Sequence, residues 1–298
     1  MRYLQAGAVS LGLLALIVWF AGGLSIDISR VRPALLVPTF AAYVLVLVLR
    51  GTAFRTITQM PGAPRAGRWI TLAARHQLVF VLSPSGAGDV AFPVIANRML
   101  GMPIGEGARL VGEARLRDIC VLGGLGCAGL AGAGQAPPLL FAGTVVAGVL
   151  LYWADGAVAT MVALVQRLWP RRRPPLTPPP ERHGGHRAMA ALLPVALWLT
   201  ASCGVAAGFG AAGHPLDLFE SWIMLAGLNV VGALAVSIAG FGVAEAGAAG
   251  VLTFLGLSLA RAASIAILAR PLLLLSNVAA CGLIELTARL VPGTARPG

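Results

Sequence analysis

The chain of 298 residues is 58% hydrophobic and 11% charged, with a mean hydropathy of +0.85. Its apolar residues run in long blocks, which excludes a soluble fold and points to an all-α, polytopic membrane protein. Net charge is +11 and no Lys occurs, so the basic balance is entirely Arg; in a membrane chain it sets topology rather than marking a nucleic-acid partner, and lysine Schiff-base chemistry is excluded.

Taken in chain order, about six segments are long enough to span: 4–22, 34–50, 110–132, 139–166, 189–212 and 262–288. A span needs ~20 apolar residues, and the first of these is too long for a signal-peptide core. Two other regions, 69–82 with 90–100 and 222–238 with 243–256, are pairs of shorter apolar pieces. At ~1.5 Å per residue they fall short of a ~30 Å hydrocarbon core, which predicts re-entrant or broken-helix hairpins. Residues 170–187, PRRRPPLTPPPERHGGHR, read as an extended linker whose arginines anchor it in the cytoplasm and against anionic headgroups. The organisation is then a first membrane repeat with its following span (1–166), a linker (167–188) and the remainder of a second repeat (189–298). Counting Arg on alternate sides of six crossings puts both termini in the cytoplasm.

The two broken regions match each other. SPSGAGD, Ser83 to Asp89, is followed by Leu100-Gly101 and Ala108-Arg109; SIAGFGVAE, Ser237 to Glu245, is followed by Leu255-Gly256 and Ala260-Arg261. Each copy crosses the membrane an odd number of times, so the second is inverted relative to the first. Breaks in matching positions of inverted repeats point to a polar pathway, because freed backbone groups survive in a membrane only where they line a cavity or are buried in protein. The pathway candidates are Ser83, Gly86, Gly88, Asp89, Ser237, Gly240, Gly242 and Glu245 at the breaks, with Arg115, Asp118, Asp155 and Arg270 from the neighbouring spans.

Gly86-Ala-Gly88-Asp-Val-Ala91 also matches a relaxed dinucleotide fingerprint, but no βαβ unit surrounds it, and that reading is rejected. Asp89 and Glu245 have a bland reading as helix N-terminal charges; their matched placement, where burial is costly, favours the pathway. Asp155 lies midway along 139–166 and suits either a structural ion pair or a relay. Arg270, followed by Pro271 within an apolar span, suits a lipid phosphate or neutralisation of Glu245 or Asp155. Glu113, Arg115, Arg117 and Asp118 crowd the start of the third span, and Arg115 with Asp118 reads as a local pair. No metal cluster or cofactor motif emerges: Cys120, Cys127, Cys203 and Cys281 lie in apolar stretches, and none of the four His is placed inside a clear span near paired acids. No catalytic constellation is expected.

On these residues the sequence resembles the transmembrane domain of lysylphosphatidylglycerol synthases, the flippase-like family. The likeness rests on SPSGAGD, Leu100-Gly101, Ala114-Arg115-Leu-Arg-Asp118, Gly240-Phe-Gly242-Val-Ala-Glu245 and Arg270, in that order. It departs where Ala114 replaces the family's Glu, with Glu113 adjacent, and where apolar Ala91, Phe92 and Pro93 replace an Arg, implying a less cationic first site. The resemblance implies a stand-alone lipid flippase or polar-lipid transporter of the inner membrane, without the soluble aminoacyl-transfer domain. Membrane lipids, anionic or zwitterionic, are the partners it implies. The competing expectation is a non-transporting accessory or scaffold for a lipid- or glycan-modifying enzyme, and a homo-oligomer is compatible with either.

Overall fold

A computed structural model describes residues 28–58, 64–83, 87–168, 184–234 and 242–290, with Gly12, Ala15, Trp19 and Arg182. The rest of the expected first span, most of the linker, and Gly86, Ser237 and Gly240 lie outside the described residues. Among the described residues the fold is all-helical: α1 (Leu36–Thr58), α2 (Ala66–Leu82), α3 (Ala87–Leu100), α4 (Ile104–Gly132), α5 (Pro137–Tyr152), α6 (Ala154–Leu168), α7 (Gly184–Ala211), α8 (Leu218–Leu234), α9 (Val243–Phe254) and α10 (Leu259–Leu290).

Among the described residues three helical stretches are long and apolar enough to cross a membrane: Pro33–Thr58, Gly184–Ala211 and Leu259–Leu290. With 29 residues α4 has the length too, but it carries six charged side chains from Glu106 to Asp118. The hairpin limbs α2, α3, α8 and α9 have 17, 14, 17 and 12 residues, the short lengths expected of them. The expected single helix over 139–166 is not one helix. It bends by 67° between Tyr152 and Ala154, so Asp155 stands in the first turn of α6 rather than at mid-helix.

The packing pattern repeats. α1 lies on α2, α2 on α3 and α3 on α4; likewise α7 lies on α8, α8 on α9 and α9 on α10. The halves interlock reciprocally, α4 against α8 and α10 against α2, with α1 and α7 forming the broad central contact. Each half buries its own core. Phe54, Trp69, Phe92, Met102 and Leu110 fill the first, and Phe209, Met224, Leu252, Ala266 and Leu273 the second.

Close backbone approach fixes these crossings. A Cβ on Gly51 would lie 2.6 Å from the Ile70 Cα, and one on Gly129 would lie 2.9 Å from the Phe219 carbonyl oxygen. Small residues at such crossings let helices pack through dispersion where lipid removes the hydrophobic drive. The repeated Leu-Gly pairs end α3 and α9, with Gly101 at φ +69° and Gly256 at φ +98°, left-handed positions that favour glycine.

The helix ends sort into two groups. The Arg32 N–H donates to the Ala211 carbonyl at 2.9 Å, joining the start of α1 to the end of α7. At the opposite end Arg182 donates to the Ile57 carbonyl, and Arg117 donates to the carbonyls of Leu151 and Ala190 at 3.2 Å. The end of α1, the end of α5 and the start of α7 therefore share one side of the bundle.

Candidate functional site

The turn between α3 and α4 places the first set of charges. Leu100-Gly101 ends α3, Pro103 precedes α4, and Asn97 Nδ2 donates to the Met102 carbonyl at 2.9 Å to hold the turn. Asp89 stands eleven residues before the turn begins at Leu100, and Arg115 eleven after α4 begins at Ile104. The two return to one level on neighbouring helices. Gly107 allows the approach: a Cβ there would meet the Pro93 Cα at 2.8 Å.

Arg115 grips Asp89 with two hydrogen bonds, Nε to Oδ2 at 2.8 Å and a terminal nitrogen to Oδ1 at 2.7 Å. Its remaining terminal nitrogen reaches Asp118 at 3.3 Å. Asp118 is in turn held by Arg50 from α1 at 2.8 and 2.9 Å and by the Trp198 indole N–H from α7 at 2.8 Å. Charges thus alternate along Asp89, Arg115, Asp118 and Arg50, two of each sign. The predicted local pair of Arg115 with Asp118 exists, but Asp118 has a closer partner in Arg50.

His76 completes this network and corrects the expectation that no His lies near paired acids. Its Nε2 is 3.0 Å from Asp89 Oδ1, and the ring is buried against Phe54, Phe80 and Phe92. The α2 hairpin limb supplies it. Gly88 makes the contact possible, because any Cβ there would come within 2.5 Å of the Phe80 Cα on α2. The first site is also more cationic than the apolar Ala91-Phe92-Pro93 stretch implied, since Arg115 and Arg50 arrive from other helices.

Depth and exposure give the network its character. Asp118 is the middle residue of a 29-residue helix, which at ~1.5 Å per residue is about 43 Å long and exceeds a ~30 Å core. A helix that covers the core therefore keeps its middle residue inside it. Asp118 is buried, while the side chains of Asp89 and Arg115 are 29% and 31% exposed. Exposed apolar side chains neighbour the pair: Val90 follows Asp89 on α3, Ile119 lies one turn after Arg115 on α4, and Phe80 lies beneath the Arg115 guanidinium at 4.7 Å.

A second network closes one end of the bundle. Glu113, with no exposed surface, accepts from Arg109 at 3.0 Å, Arg117 at 2.9 Å and Arg182 at 2.7 Å. Arg117 also reaches Asp155 at 2.9 Å, and Arg187 lies 3.4 Å from that carboxylate while stacking over Trp153. Arg182 is thus a buried ion-pair partner rather than a solvated anchor of the linker. For Asp155 this geometry is the structural ion pair of the two roles it suited.

In the second half Glu245 stands at the start of α9 and accepts the Gly242 N–H at 2.6 Å, with Gly242 at φ +82°. It is buried and within electrostatic reach of Arg270, which also faces Tyr43 of α1. α10 runs unbroken through Pro271. Ser83 ends α2 as its C-cap. The structure brings Gly88, Asp89, Arg115 and Asp118 together in the first half, and Gly242, Glu245 and Arg270 in the second. Among the described residues Asp89 and Glu245 have separate partners, in different networks. Arg50, His76 and Trp198 were not legible as site residues, because each reaches the acids from another helix.

Among the described residues no group of His, Cys, Asp and Glu is arranged to hold a metal ion. A family model described as the lysylphosphatidylglycerol synthase TM region matches residues 7–281. No curated protein and no solved structure matches the chain.

Proposed function

The chain belongs to the lysylphosphatidylglycerol synthase TM-region family, and from that premise we propose that it moves a polar lipid between the leaflets of a cell inner membrane, without chemical conversion. One observation carries the reading: the Asp89–Arg115 pair is partly open, at the depth of mid-α4, among side chains suited to hydrocarbon. Charges there are costly and mark pathways for polar groups. A planar guanidinium that binds a carboxylate with two prongs binds a phosphate in the same manner. In the resting protein Asp89 occupies that fork; during transport the headgroup phosphate takes its place.

The repeat packing supports a second, equivalent passage in the other half, with Glu245 and Arg270 as its charged groups. Reciprocal contacts of α4 with α8 and α10 with α2 are the surfaces that would slide as access alternates between the two sides. Both termini lie in the cytoplasm in this reading, so the Glu113–Arg182 network faces the cytoplasm. The test is leaflet exchange in liposomes. Purified protein should accelerate exchange of at least one fluorescent phospholipid class over protein-free vesicles; equal rates across anionic and zwitterionic classes would leave only an accessory role.

A further inference from the structure

His76 gives the Asp89–Arg115 site a means of taking up a proton. Asp89 is held by Arg115 as a carboxylate, and a carboxylate only accepts hydrogen bonds. The His76 Nε2 at 3.0 Å must therefore carry the hydrogen it shares with Oδ1. That assignment leaves Nδ1 as the basic nitrogen of a neutral ring.

The charges acting on His76 are Arg50 from α1, Asp89 from α3 and Arg115 from α4. Asp118 is bonded to Arg115, and Glu285 of α10 is bonded to Arg75, the residue before His76 on α2. Of these groups only His has an ordinary titration range between pH 5 and 8. With His76 neutral, Arg50, Arg115, Asp89 and Asp118 sum to zero, so the network has no net pull on an anion. One proton on Nδ1 makes it +1. In a low-dielectric setting a single uncompensated charge is a strong reason to admit one counter-charge. Asp89 then serves two cations, His76 and Arg115, and its second prong on the Arg115 guanidinium becomes available.

We infer that the site binds a lipid phosphate monoanion together with one proton, the phosphate on Arg115 and the proton on His76. The balance closes: a proton arrives from water onto Nδ1, a phosphate of charge −1 arrives at the guanidinium, and the occupied network is neutral again. Loss of the proton reverses both steps. The exposed apolar side chains Val90, Ile119 and Phe80 beside the pair favour the lipid over free phosphate, because acyl chains can cover them. This inference rests on the transport reading in taking a lipid as the visitor, and it singles out anionic over zwitterionic headgroups.

The experiment measures binding rather than exchange, so the two can fail separately. Fluorescent phosphatidylglycerol, fluorescent phosphatidylcholine and inorganic phosphate are titrated onto the full-length protein in nonionic micelles between pH 8 and 5. Phosphatidylglycerol affinity should rise by up to about tenfold per unit fall in pH, the limit for one linked proton, with about one proton taken up per lipid in weakly buffered dye. Phosphatidylcholine should show no such slope, and inorganic phosphate should bind far more weakly. His76→Gln retains an N–H for Asp89 but cannot ionise, and should flatten the phosphatidylglycerol slope. Equal slopes for both lipids, an unchanged slope in H76Q, or a phosphate slope matching that of the lipid would each overturn the inference. Proton uptake by the wild-type protein needs no variant, so a poorly folded H76Q leaves the test intact. Leaflet exchange with pH-independent binding would sink this inference and keep the transport reading; linked binding without exchange would do the reverse.

Discussion

Arg115 closes a two-pronged ion pair on Asp89, at 2.8 and 2.7 Å, across two helices joined by a three-residue turn. Position along the chain explains it, since α3 and α4 carry the two residues equal distances from that turn. Breaking the pair leaves the other charge at a site only partly reached by water. Asp89→Asn should therefore cost about 1–3 kcal/mol, less than the 3–5 of a fully buried pair because a third of each side chain is open. Thermal unfolding in detergent should show it, and the swapped variant Asp89→Arg with Arg115→Asp should recover part of the loss. A swap less stable than either single variant would show that the surrounding charges, not the pair, dominate.

Glu113, with no exposed surface, is the acid that Arg109, Arg117 and Arg182 share. Removing its charge leaves three guanidinium groups with only Asp155 and the more distant Glu106 to offset them. Glu113→Gln should destabilise by about 3–5 kcal/mol, with loss of monodisperse protein on size exclusion. Wild-type stability in that variant would mean the arginines find other partners.

Gly88 separates the hairpin limbs by the width of a hydrogen. Gly88→Ala pushes a methyl into the Phe80 backbone at 2.5 Å, and overpacking of this kind costs about 1–3 kcal/mol. Since the limb carrying His76 must shift, the variant should lose leaflet exchange as well as melting temperature. Normal values of both would show that the limbs separate freely.

Glu245 caps α9 through the Gly242 N–H. Loss of a cap costs ~1 kcal/mol, so Glu245→Gln should remain folded. Its exchange rate should nonetheless drop together with that of Arg270→Ala, because both belong to the second passage. Wild-type exchange in both would confine transport to the first half.

The proposed orientation puts the two groups of helix ends on opposite sides of the membrane. In a chain depleted of its own accessible cysteines, a cysteine at Arg65 should label only from the cytoplasm. One at His214, beside the end of α7, should label only from outside. The reverse pattern would invert the orientation.

Much of this architecture was legible in the sequence. Apolar blocks gave the long helices α1, α7 and α10, and the matched Ser, Gly-x-Gly and Leu-Gly signals gave both hairpins, because these patterns are local. The bend near Trp153 was hidden, since LLYWADGAVA carries no proline or polar run at the break. The site was legible only in part. Asp89, Arg115 and Asp118 advertise themselves as charges in apolar surroundings, whereas Arg50 and Trp198 reach Asp118 across 68 and 80 positions of sequence. Arg182 lies in a Pro/Arg run that looks solvated, and only the fold reveals Glu113 beneath it.

The most direct measurement is the leaflet-exchange rate of fluorescent phospholipid in liposomes carrying equal amounts of folded wild-type or Arg115→Gln protein, beside protein-free vesicles. A charge-assisted contact of about 1.5–3 kcal/mol corresponds to roughly tenfold or more in rate. The account predicts fast exchange for the wild type and at least about a tenfold loss in R115Q. Exchange by R115Q at the wild-type rate would contradict it.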